Sequence, residues 1–152
     1  MKRLIIIILC CAQQLWAQTD YSQYDNDQGT SMKPILMKAD PIIKNLEQEK
    51  LEIVRMEFDI VTNNKKLSWR TLHKGVRYDL IAFGDYRVQD LDISLYRYEN
   101  SQWVLVDKDR KEDSFAVLTL TPGKTEEYKI EISVYQFKSG YTAAHYGLLV
   151  TR

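Results

Sequence analysis

Few residues in this chain have the type and spacing to do chemistry, and most of them fall between Gly75 and Tyr98. Asp90 and Asp92 stand two apart, so an extended backbone turns both carboxylates to one side, where they can share a hard cation such as calcium. Asp85 lies at the preceding corner, and Asp107 and Asp109 follow the next strand. No Asp-x-Asp-x-Asp-Gly loop accompanies them, and solvated charges marking a turn are the plainer reading. Tyr96 and Tyr98 come next, on the polar side of the strand that carries Leu91, Ile93 and Leu95. Flat rings on an outer sheet face stack on sugars or anchor a partner protein. The plainer alternative is packing against a helix or inside the second layer. Tyr135 and Phe137 are read the same way on their own strand.

Other chemistries find little support. There is no Gly-x-Ser-x-Gly elbow, and both cysteines, Cys10 and Cys11, fall in the first residues of the chain. His73 and His145 are the two histidines, one in a turn and one at a strand start, and each reads as an ordinary surface or edge residue. Zinc needs three or four nitrogen or sulfur ligands, which this composition does not offer. No catalytic residue is assigned, and no cofactor is expected beyond the calcium that Asp90 and Asp92 can hold. Asp and Glu are plentiful enough for a paired-carboxylate hydrolase, which stays as an alternative class.

The elements that must position these residues begin with an export segment. Lys2 and Arg3 precede the apolar run Leu4 to Ala12, and Leu15-Trp16-Ala17 offers a small residue before a cut near Ala17–Gln18. The run is too short to span a membrane, which takes roughly 20 residues. Leu9 before Cys10, and Cys10 before Cys11, argue against lipidation. Residues 1–17 therefore read as a signal peptide, 18–39 as a flexible linker, and 40–152 as one domain. Without its signal the chain keeps 19 basic residues against 21 acidic ones, a net charge of −2. That balance gives no footprint for nucleic acid or for an anionic membrane. A secreted or periplasmic location follows, with no membrane insertion once the signal is cut.

Asp40-Pro41 has the form of a helix start, and Ile42, Ile43 and Leu46 follow at helical spacing, which predicts a helix over 41–51. The good helix formers Glu, Lys, Leu and Met leave a continuation to about 60 as the alternative. From Val54 onward the pattern alternates at period two and turn signals recur every 8 to 12 residues. Strands are expected near 54–60, 67–72, 76–83, 91–98, 102–106, 115–119, 128–134 and 145–151, with a solvated loop at 107–113. The fold class is all-β: a jelly-roll-like antiparallel β-sandwich of about eight strands with one N-terminal helix.

The segments TLHKGVRYDLIAFGD, DLDISLYRY, LVDKD, FAVLTLTPGKTEEYKIEISVY and AAHYGLLV resemble the bacterial pre-peptidase C-terminal domains over residues 68–151. Tyr78, Gly84, Asp90 and Asp92 carry most of that likeness. The resemblance implies a secreted, non-catalytic jelly-roll sandwich that accompanies a peptidase, in a family where some members bind calcium, collagen or polysaccharide. No protease domain is attached here. The expected function is a stand-alone binding or accessory module whose ligand is polysaccharide or protein. The alternatives are a small secreted hydrolase with an acidic site or a structural envelope component.

Overall fold

Alternating side chains force the strands to bury one face, and two antiparallel sheets stack to do so. A computed structural model describes residues 31–152. One helix, α1 (Lys33–Gln48), precedes β1 (Ile53–Val61), β2 (Lys66–Leu72), β3 (Tyr78–Gly84) and β4 (Val88–Glu99). There follow β5 (Gln102–Lys108), β6 (Phe115–Leu120), β7 (Glu126–Phe137) and β8 (Ala144–Thr151). The first sheet runs β1-β8-β3-β6 and the second β2-β7-β4-β5. Every connection except the β4–β5 hairpin thus crosses to the other sheet, the strand order of a jelly roll. Leu80, Ala82, Leu91, Ile93, Leu95, Ile130, Ile132, Leu148 and Val150 fill the space between the sheets.

The rim between β1 and β2 is polar. Arg55, Glu57 and Asp59 alternate with the outward Met56, Phe58 and Ile60, and they join the sheets through ion pairs and hydrogen bonds. Lys66 Nζ meets Asp59 at 2.8 Å, Ser68 Oγ donates to Glu57 at 2.7 Å, and Arg70 donates to the Val54 carbonyl at 2.9 Å. Inward charges of this kind also discourage edge-to-edge pairing with another chain.

The helix corrects the sequence reading. It starts at Lys33, with Pro34 in its first turn, so residues 33–39 of the segment read as linker are helical, and Pro41 lies inside the helix instead of opening it. An interior proline costs about 3 kcal/mol in lost hydrogen bonding and ring clash. Burial of Ile35, Ala39, Ile42 and Leu46, one stripe at helical spacing, offsets that cost. Among the described residues the helix ends before 51. Leu51 N–H donates to Leu46 O and Lys50 N–H to Glu47 O, both at 3.0 Å, with Lys50 at φ 59°. This is a Schellman closure built on lysine where glycine is usual.

The stripe docks on the outer face of the first sheet. Ile81, Phe83 and Leu149 are buried there, on the opposite side from Leu80, Ala82, Leu148 and Val150. A Cβ on Gly147 would lie 2.4 Å from Phe83 Cζ and 3.0 Å from Phe58 Cε1, so only glycine lets the two rings close over β8. The signal peptide expected over 1–17 and the linker up to residue 30 lie outside the described residues. Among those described, no helix is long and apolar enough to cross a membrane.

Candidate binding face

Among the described residues no helix lies over the outer face of the second sheet. Register places Trp69 of β2 opposite Lys129 of β7, Lys129 opposite Tyr96 of β4, and Tyr96 opposite Leu105 of β5. One row of side chains therefore crosses the whole sheet. In the next row Tyr98 pairs with Trp103, their ring centroids 5.3 Å apart. The ammonium of Lys129 lies 4.4 Å from the centre of the Tyr96 ring and 5.0 Å from that of Trp103. That cation–π clamp holds both rings in place. Trp69 is 47% exposed, Tyr98 56% and Leu105 48%.

The hairpin explains this placement. Asn100 and Ser101 both take positive φ, 51° and 64°, the two-residue turn whose twist matches that of the flanking strands. It fixes Tyr98 against Trp103. Tyr98 also borders an open depression of about 290 Å³ lined by Arg97, Glu99, Gly123, Lys124 and Glu126. Arg97 donates to Glu99 at 2.8 and 3.1 Å, and the Tyr128 hydroxyl donates to Glu126 at 3.1 Å. The depression offers donors and acceptors of both signs beside an exposed ring.

Tyr96 and Tyr98 thus stand on the outer face, as the alternation predicts. Trp69, Trp103 and Lys129 escaped the sequence reading. The signal was present, because Leu67, Trp69 and Thr71 alternate outward, and the Asn100-Ser101 turn sets Trp103 across from Tyr98. Tyr135 also points outward, 78% exposed, but Phe137 packs against the core. An irregularity in the β4–β7 pairing between Val88 and Leu91 reverses the alternation before Phe137 is reached.

The acidic residues gather beside the same strand. Asp90 and Asp92 are both buried on the outward side of β4. Asp92 is paired with Lys108 at 2.7 Å, whereas Asp90 Oδ1 is buried with no hydrogen-bond partner among the described residues. Burial pushes the Asp90 carboxyl above the usual range, and Asp92, Glu112, Asp113 and Asp109 add to the effect. Segment 109–113 is no free solvated loop: Asp109 N–H donates to Ile93 O at 2.9 Å, and Leu91 N–H to Asp113 O at 2.8 Å. Among the described residues no group of three or more His, Cys, Asp or Glu is placed to hold a metal ion.

Asp85 and His145 are committed elsewhere. Arg87 binds the Asp85 carboxylate through two nitrogens and donates to His145 Nδ1 at 2.8 Å, while His145 N–H donates to Asp85 at 2.9 Å. All three are buried, so His145 is an interior lock on the β3–β4 corner and not an edge residue. His73 stays exposed in its turn. Nearby, Lys38 of α1 donates to Gly84 O at 2.7 Å and to Ser114 Oγ at 2.8 Å. Burial pulls its ammonium down to about 8, with Asp113 and Asp85 opposing that shift.

No family model matches the chain, and no curated protein matches it significantly. Solved structures do. The pre-peptidase C-terminal domain of a Bacillus anthracis collagenase superposes with a TM-score of 0.50 at 11% identity, over 63% of this chain and 87% of that one. CorA of Methylomicrobium album BG8, a surface-associated copper-binding protein, superposes with a TM-score of 0.51 at 7% identity, over 62% of this chain and 91% of that one. The chain has the pre-peptidase C-terminal domain fold.

Proposed function

We propose that the chain is a non-catalytic binding module, working outside the cytoplasm, that takes polysaccharide on the bare face of the second sheet. One observation carries this reading: Tyr98 stands on that face against Trp103 and borders, at the end of the sheet, a depression lined by Arg97, Glu99, Lys124 and Glu126. A ring supplies the flat apolar contact that a sugar face matches, and charged groups of both signs supply the donors and acceptors its hydroxyls require. Lys129 divides Trp69 from Tyr96, so the apolar surface is broken in a way that suits a polyhydroxy chain better than the apolar core of a protein interface. A hydrolase would need a free carboxylate pair, and Glu99 and Glu126 are already held by Arg97 and Tyr128. Export through residues 1–17 is the basis for the location.

Changing Tyr96 and Tyr98 together to Ala is expected to abolish retention on a glycan array. Unchanged retention would remove the face from consideration.

A further inference from the structure

We infer that the bare face holds an extended β-linked polysaccharide laid across the strands, with Trp69 forming a second ring subsite about one disaccharide from Tyr96. This rests on the polysaccharide reading above and adds a direction, a linkage class and a residue to it.

The argument starts from register. Trp69, Lys129 and Tyr96 occupy one row on three adjacent strands, β2, β7 and β4. Two strand spacings separate the outer pair, about 9.6 Å. That is close to one disaccharide repeat of a fully extended β-linked chain. In such a chain successive sugars are flipped, so every second ring turns the same face to the surface. The row matches this alternation, with a ring at Trp69, an ammonium at Lys129 and a ring at Tyr96. The ammonium is pinned over Tyr96 and Trp103 at 4.4 and 5.0 Å, where it can donate to the oxygens of the intervening sugar. Past Tyr96 the row runs on to Leu105 of β5, with Tyr98 and Trp103 flanking it in the next row.

Trp69 lies on an edge strand, and nothing in the core requires an indole there. Its neighbours Leu67 and Thr71 share its outward face, and Leu67 is 45% exposed. A helically coiled α-linked chain would meet one of the two rings and then leave the surface.

Isothermal titration of the full chain with cello-, xylo- and chito-oligosaccharides of two, four and six sugars tests this, with maltohexaose as the α-linked comparison. For the β-linked series that binds, the hexasaccharide should be at least about tenfold tighter than the disaccharide, equivalent to about 1.4 kcal/mol. Trp69→Ala should erase that gain, and Trp69→Phe should restore most of it. If Trp69→Ala keeps the full length dependence, or maltohexaose binds as tightly as the best β-linked hexamer, the inference is wrong and the polysaccharide reading stands. If none of these sugars binds, both fall.

Discussion

On the first sheet, Ile81, Phe83 and Leu149 point away from the inter-sheet core and are nevertheless buried beneath α1. On the second sheet, Trp69, Tyr98 and Leu105 point outward in the same sense and stay about half exposed. Both faces carry large apolar side chains, and among the described residues a helix covers the first alone. Lys38 reinforces that cover by reaching the β3–β4 corner from the helix. The second face keeps Trp69 and Tyr98 about half in water, beside Tyr96 and Trp103, which the Lys129 ammonium holds in place. Exposed aromatic groups that are also preorganised mark an interaction surface more than a packing residue.

The contrast can be broken from either side. The largest effect belongs to the covered face: Phe83→Ala should cost about 3–5 kcal/mol in denaturant unfolding, through lost burial and the cavity left behind. Gly147→Val should be similarly severe, because its side chain would overlap Phe83 and Phe58. A mild loss in either case would mean that the helix does not seal this face.

Lys38→Met should cost about 1–3 kcal/mol at neutral pH by stranding the oxygens of Gly84 and Ser114. The pH dependence has a definite sign. The folded state releases the Lys38 proton near pH 8, earlier than the unfolded chain does near its ordinary 10.5. Unfolded chains therefore hold more protons between those values, and stability from this group rises with pH across that window. Wild type should gain on Lys38→Met between pH 8 and 10.5 in paired thermal melts.

Asp90→Asn should raise the melting temperature by a few degrees at pH 7. The Asp90 carboxyl titrates above its ordinary range when folded, so its contribution falls as pH rises through that range. The advantage of the Asn variant should fade in acid, where both states are protonated. Calcium at Asp90 and Asp92 would reverse the picture: EGTA would then lower the wild-type melting temperature, and Asp90→Asn would destabilise. The smallest effect on stability is expected for Trp69→Ala, within about 0.5 kcal/mol, since its ring is half exposed on an edge strand.

The strands were legible because period-two alternation is a local signal, and all eight fall where Val54, Leu67, Leu80, Leu91, Val104, Val117, Ile130 and Leu148 mark them. The helix start was misread because Asp40-Pro41 has the form of a cap. Only the tertiary burial of Ile35 and Ala39 reveals that the chain is already helical there. The helix end lacked its usual glycine, since Lys50 takes the left-handed turn. Tyr96 and Tyr98 were visible from alternation within one strand. Trp69 and Lys129 required knowing that β2 and β7 pair across about sixty residues of sequence, which no local pattern encodes.

Backbone amide NMR during titration with the tightest-binding β-linked hexasaccharide from the calorimetric series tests the central claim most directly. The shifts should concentrate on Trp69, Tyr96, Tyr98, Trp103, Lys129 and the turn at Gly123, with the amides of α1 and β8 unmoved. Shifts centred on the helix side of the sandwich, or none at saturating sugar, would contradict it.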